Sequence, residues 1–127
     1  MFQSRLHKDV VYLLKEIFPG HVFLYEYPYY KLLPKNSDLL LSSIATRLKC
    51  DIYDKTYKIL YEIQGIQHYQ SVEFFGGIDT YYSQKFIDKY KRQIATESGC
   101  KLIEIPYDFI VNKDSLLSFI HKKTDYE

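Results

Sequence analysis

The stretch from Leu48 to Tyr69, LKCDIYDKTYKILYEIQGIQHY, constrains the fold more than any other part of the chain. Two short runs of alternating apolar residues flank the polar triplet Asp54-Lys55-Thr56, which is the pattern of a β-hairpin. A hairpin commits the chain to a sheet, and the two-residue side-chain period then sorts residues onto faces. Glu62 and Gln64 share one face of the second strand, while Asp51 is a carboxylate inside the first, where packing gives no reason for one. Gly65 ends the second strand and His68 follows it. A carboxylate on one strand, E-x-Q on its neighbour and a nearby imidazole form a set able to converge on a divalent metal beside a proton-transfer group. The plainer reading is that Glu62 belongs to a solvated strand face, as charged strand residues usually do. The residues alone leave both readings open.

Around the hairpin the pattern is α/β. Ser4 to Phe18 carries apolar residues at Leu6, Val10, Leu13, Leu14 and Ile17, a helical spacing opened by a capping serine and stopped by Pro19-Gly20. His21 to Tyr27 reads as a strand. Tyr29 to Arg47 reads as a loop with a short ordered piece, Leu39 to Ala45 being a short helix capped by Ser37 or Asp38, or an extra strand. Gln70 to Gly77 reads as a loop ending in Phe74-Phe75-Gly76-Gly77. A long helix from about Asp79 to Ser98 stops at Gly99, with Phe86, Tyr90 and Ile94 as its apolar stripe and Gln84, Asp88, Lys91 and Ala95 on another face. Cys100 to Ile105 reads as a strand, and about Lys113 to Lys122 as a last helix with Asp114 as its cap. The order α-β-β-β-α-β-α predicts a single domain over residues 1–127, an α/β sandwich on a small mixed sheet, with a right-handed β-α-β unit joining the hairpin to the last strand.

Composition narrows the function classes. At 46% hydrophobic and 17% aromatic residues, disorder is excluded as the main state. A net charge of +1 supplies no global basic field, so any nucleic-acid contact must use a local patch. Cys50 and Cys100 are far apart and outside any C-x-x-C spacing, so neither a zinc site nor a disulfide framework is suggested. No signal-peptide core or membrane-length apolar run is present, and the expected setting is the cytosol, away from membranes.

Several of these residues form an ordered series. Asp51 is followed by Glu62-Ile63-Gln64-Gly65-Ile66-Gln67-His68-Tyr69, Phe75-Gly76-Gly77, Asp88-Lys89-Tyr90-Lys91, Gly99 and Ile103-Glu104-Ile105-Pro106-Tyr107. The series resembles the nucleases related to very-short-patch repair endonucleases, including phage-type homing endonucleases of that fold, within the PD-(D/E)xK superfamily. Ser4-Arg5-Leu6-His7-Lys8 and Glu16-Ile17-Phe18-Pro19-Gly20 also look like phage members. The resemblance covers most of the chain and is weakest over Tyr29 to Arg47. It implies a restriction-endonuclease-like three-layer sandwich and a metal-dependent DNA endonuclease of nicking or homing type, using Mg²⁺ or Mn²⁺. Asp51 becomes the core metal-binding carboxylate, and Glu62 a second metal ligand. Glu62 and Gln64 stand at the E-x-K positions, His68 is the catalytic histidine, and Asp88 approaches the site from the long helix. Phosphodiester hydrolysis needs charge stabilisation at phosphoryl oxygens and a base for water, which a divalent ion and a histidine supply.

Two departures from the pattern bear on activity. Gln64 stands where the superfamily has a lysine and carries no charge, which shifts the burden to His68. Relatives tend to carry a glutamate on the first helix where this chain has His7, and Glu16 and Glu26 are the candidates to replace it. His7 is then either a helix-end residue or a site member, and His21 and His121 read as incidental. Asp88 also has a plainer reading, a surface ion pair with Lys91 or Arg92. Lys85, Lys89, Lys91 and Arg92 make the long helix the most basic segment and the expected phosphate contact. Without a separate DNA-binding domain in this chain, specificity is expected from its loops, a homodimer or a DNA-binding partner. The alternative is a catalytically silent nuclease-fold module that binds nucleic acid or a protein partner. Gln64, the altered first-helix glutamate and the near-neutral charge favour it, while the joint retention of Asp51, Glu62, His68 and Asp88 favours the enzyme.

Overall fold

The structure, a computed structural model, describes residues 4–65 and 77–124. Helix α1 spans Arg5–Ile17, with the Ser4 hydroxyl accepting the His7 N–H at 3.1 Å as its cap. Strand β1 (Phe23–Pro28) leads into a single 3₁₀ turn at Tyr29–Lys31 and then into α2, Leu39–Ala45. The ordered piece within Tyr29 to Arg47 is thus a helix rather than a strand. Asp38 is its cap, accepting the Leu41 N–H at 3.0 Å. The hairpin is β2 (Lys49–Asp54) and β3 (Ile59–Ile63); α3 (Gly77–Glu97), β4 (Lys101–Ile105) and α4 (Lys113–Thr124) complete the chain. Asp114 lies inside the first turn of α4, and the capping side chain is Asn112, whose Oδ1 accepts the Ser115 N–H at 2.9 Å.

The sheet order is β1-β2-β3-β4, antiparallel through β3 and parallel between β3 and β4, where α3 makes the crossover. Helices cover both faces. On one, Val10 and Leu14 of α1 and Leu116 and Ile120 of α4 pack on Ile52, Ile59, Tyr61 and Ile103. On the other, Leu41 and Ala45 of α2 and Ile94 and Ala95 of α3 pack on Cys50, Tyr53 and Leu60. The described residues therefore form an α/β fold with a four-stranded mixed sheet between helices. No helix among them is long and apolar enough to cross a membrane.

The hairpin turn is held by polar groups. Buried Asp54 accepts the Thr56 and Tyr57 N–H groups through Oδ1 and meets His21 Nδ1 at 2.7 Å through Oδ2. His21, stacked on Phe18 at 4.5 Å between centroids, ties the α1–β1 connection to the hairpin, so its role is structural rather than incidental.

One distortion in the sheet matters for the site. Tyr25 pairs with Ile52 and Tyr27 with Cys50, but Glu26 and Asp51 between them form no pair. Glu26 has φ +54°, the left-handed region that side chains disfavour. Across this point both strands exchange faces. Ile52 packs toward α1 and α4 while Cys50 packs toward α2 and α3; Tyr25 meets Lys15 of α1 while Tyr27 joins the α2–α3 core. Alternation would have kept residues two apart on one face.

Candidate active site

Along β3, Leu60 and Glu62 project to the α3 side while Ile59, Tyr61 and Ile63 pack on the other. The solvated-face reading of Glu62 fails on this point, because that side is covered by α3 and Glu62 is 7% exposed. Its Oε2 accepts the Tyr29 hydroxyl at 2.6 Å and pairs with Lys91 Nζ at 2.9 Å. The same ammonium sits 5.7 Å from the Tyr29 ring centroid. Burial pushes the Glu62 carboxyl up to about 7; Asp51 adds to the rise, and Lys91 and Tyr29 pull against it. Burial would lower Lys91, but Glu62 and Asp51 outweigh it and hold the ammonium above its usual value. Tyr29 is raised by burial first and then by Glu62, which keeps its hydroxyl a donor.

Asp51 takes its position from the distortion. Its Oδ2 accepts the Ile63 N–H at 2.8 Å just beyond the last paired residues, Ile52 and Tyr61, so the carboxylate is clamped where the hairpin opens. Gln64 Nε2 donates to Glu104 Oε2, and Arg92 holds the same Glu104 through two bonds of 2.7 and 2.8 Å. Asp88, 4% exposed, accepts from Gln84 Nε2 at 3.2 Å. Asp51, Glu62, Gln64, Gln84, Asp88, Lys91 and Glu104 line a single polar cavity of about 180 Å³.

The structure thus brings together Asp51, Glu62, Gln64 and Asp88, and adds Lys91. Of Lys85, Lys89, Lys91 and Arg92, the residues expected to contact phosphate, Lys91 is turned into the cavity. Lys91 follows Asp88 by three residues and Gln84 by seven, so helical geometry turns it inward with them. Arg92, itself exposed, pairs with Glu104, and Lys85 and Lys89 are exposed as well. Asp88 is buried rather than on the surface, so an exposed ion pair does not describe it. The expected stripe of α3 holds at Tyr90 and Ile94, which pack on the core with Ile87 and Ala95, but not at Phe86, which is 59% exposed with its ring against Tyr90. Glu16 is exposed near the end of α1, and neither it nor half-buried Glu26 lines the cavity. His7 lines an adjoining cavity. His68 and the Phe74–Gly76 part of the expected loop lie outside the described residues.

Tyr29 and Glu104 were not anticipated as site residues. Glu104 had a signal, a carboxylate inside the apolar run Leu102 to Ile105, and the parallel register sets it beside Glu62. Tyr29 gave none, being one of fourteen tyrosines in a loop-like stretch.

No three His, Cys, Asp or Glu side chains among the described residues are grouped as a metal-binding cluster. The donor set suits a hard cation nonetheless. Asp51 and Glu62 each commit one carboxylate oxygen to protein partners among the described residues, and an octahedral ion of the Mg²⁺ type commonly uses one or two carboxylates plus waters and phosphate oxygens.

No family model and no solved structure matches the chain. Over 62 residues it is 44% identical to "Uncharacterized protein 094L" of Frog virus 3 (isolate Goorha), a match covering 47% of this chain and 40% of that protein. The matched part thus spans about two fifths of that relative's length.

Proposed function

We propose that the protein is a metal-dependent endonuclease hydrolysing phosphodiester bonds in DNA, on a restriction-endonuclease-like version of this α/β fold. One observation carries the reading. Two strand carboxylates, a helix aspartate and a buried lysine share a polar cavity, and that convergence has no packing benefit. Asp51 and Glu62 are the residues that would hold Mg²⁺ or Mn²⁺. When bound, such an ion supplies charge neutralisation for phosphoryl oxygens. The chain's own residues do the rest. Lys91 provides the cation that Gln64 does not, fixed by Glu62 and the Tyr29 ring so that its charge is in place before substrate arrives. Gln64, Glu104 and Arg92 brace the cavity wall, and Asp88 accepts hydrogen bonds from the helix side. The relative in Frog virus 3 supports a viral setting, whether phage or otherwise.

The silent-module reading keeps one observation in its favour: Gln64 is engaged with Glu104, which suits a structural role. Plasmid nicking by the purified chain across a Mg²⁺ and Mn²⁺ titration decides between them. Metal-dependent conversion of supercoiled to open-circle DNA is expected, abolished by Glu62→Ala. DNA binding without cleavage under either metal would favour the module.

A further inference from the structure

Both lone-pair positions of Glu62 Oε2 are taken: the Tyr29 hydroxyl donates at 2.6 Å and the Lys91 ammonium at 2.9 Å. The two donors differ in kind. Tyr29 is 0% exposed and packed in the α2–α3 core, so it is a fixed partner. Lys91 reaches the carboxylate on a flexible four-carbon stem and carries three donors that rotate. Its side chain keeps 15% of its surface and that of Glu62 keeps 10%, and both line the 180 Å³ cavity, so the pair is within reach of a ligand there. That cavity shares Asp51, Ile63 and Gln64 with the adjoining one of about 520 Å³.

The charges around the pair are unequal. Asp51, Glu62, Asp88 and Glu104 line the cavity; Arg92 answers Glu104, and Lys91 is the single ammonium among the described lining residues. Lys91 thus sits where a cation is drawn, in direct contact with one of the two carboxylates assigned to the ion. We propose that Lys91 is an exchangeable counter-ion that couples DNA binding to metal binding. Without DNA it holds Glu62; a backbone phosphate draws it away and leaves an Oε2 lone pair open to the ion. The lysine trades one charge-assisted contact for another, while the released carboxylate oxygen becomes a ligand for a hard cation. Linkage makes the effect reciprocal, so DNA tightens the ion and the ion tightens DNA by the same factor. The ammonium is already in the cavity when substrate arrives, and only the end of its stem turns. The inference rests on the nuclease reading and adds a regulation to it: the site loads its ion fully only on DNA.

The test uses the full ¹⁵N-labelled chain, Ca²⁺ as the ion and a twelve-base-pair duplex. The Ile63 amide, which donates to Asp51 Oδ2, reports ion binding from within the protein, apart from the ions that the duplex itself attracts. The Ca²⁺ concentration at half-shift should fall at least about tenfold with duplex present, a coupling of the usual size for linked sites. In Lys91→Met, with folding checked by circular dichroism, the gain should shrink to roughly threefold or less, the remainder coming from phosphate oxygens that ligate the ion directly. A Lys91→Met protein that keeps the whole gain would overturn the proposal, because phosphate ligation alone would then account for it. If Lys91→Met does not fold, the wild-type Lys91 ¹⁵Nζ resonance decides: it should move when duplex is added without any ion, and a resonance that stays still overturns the exchange. Should wild type nick DNA in Mg²⁺ while its Ca²⁺ affinity ignores the duplex, the nuclease reading survives and the exchange falls. Should the affinities couple through Lys91 while neither Mg²⁺ nor Mn²⁺ supports nicking, the exchange stands and the nuclease reading falls.

Discussion

Replacing Lys91 with methionine tests whether the helix lysine sets the charge state of Glu62. Burial holds this carboxyl up at about 7, with Asp51 adding to the rise, and Lys91 at 2.9 Å is the strongest influence in the other direction. A carboxyl whose folded pKa lies above its unfolded value stabilises the fold fully below the unfolded value, and that contribution is lost as pH rises through the folded value. For wild type the window runs from 4.5 to about 7, and at ~1.4 kcal/mol per pH unit the loss across it is about 3 kcal/mol. Without the ammonium, Glu62 should titrate at least about one unit higher, removing roughly a further 1–2 kcal/mol above pH 7, where wild type has levelled off. Near pH 5 Glu62 is protonated in both proteins, so the two should differ little. The assay is urea unfolding followed by far-UV circular dichroism from pH 5 to 9, with Glu62→Gln as the reference lacking this titration. A constant gap between Lys91→Met and wild type across the range would refute the coupling. A wild-type stability, relative to Glu62→Gln, that rises from pH 5 to 8 would refute the raised carboxyl itself.

Asp51→Asn should abolish divalent-dependent cleavage and the rise in Tm on adding Mg²⁺ while leaving the fold intact, since asparagine still offers Ile63 N–H an acceptor; retention of both effects in a nicking and melting assay would remove Asp51 from the metal site. Lys85→Ala with Lys89→Ala should weaken DNA binding and flatten its salt dependence by about one unit for each phosphate no longer neutralised, measured by fluorescence anisotropy against ionic strength, whereas an unchanged slope would place the DNA elsewhere. Asp54→Ala should destabilise the fold by about 3 kcal/mol in urea titration, because two turn N–H groups and His21 lose a fully buried acceptor. His68→Ala should lower the cleavage rate by ~10²–10⁴-fold with DNA affinity little changed, and cutting at the wild-type rate would end its assignment as the proton-transfer group.

How much of the fold is legible in the sequence depends on whether a feature is local. The hairpin, the capping serine, the long helix and its stop at Gly99, which has φ +72°, follow from periodicity and turn chemistry within a few residues. The α2 segment is ambiguous because seven residues show too little period to separate helix from strand, and only packing on the α3 side settles it. The α3 stripe misleads for a related reason. Aromatic residues at helical spacing suggest a core face, and Tyr90 does pack there, yet Phe86 lies at an exposed rim while Ile87 and Ala95 join the packed side.

The site shows the same division more sharply. Asp51, Glu62 and Asp88 announce themselves as charges where strand or helix packing offers no use for them. Lys91 does not, because lysine on a basic helix is ordinary. Sequence spacing nevertheless places it with Gln84 and Asp88 rather than with Lys85 and Lys89. What spacing cannot supply is that this face is turned onto β3, because that depends on the parallel pairing of β3 with β4 and on the crossover between them. Nor can it supply the face exchange at Glu26 and Asp51, a backbone event at a residue that is not glycine. Had both strands alternated without interruption, Cys50 would lie on the face of Ile52, and Asp51 on that of Tyr53. The break instead places the Asp51 carboxylate on the Ile63 N–H, on the wall shared by the two cavities. Strain concentrated at one point of an otherwise regular sheet is retained where the surrounding structure over-determines it. Here the site residue Asp51 faces it across the strand pair.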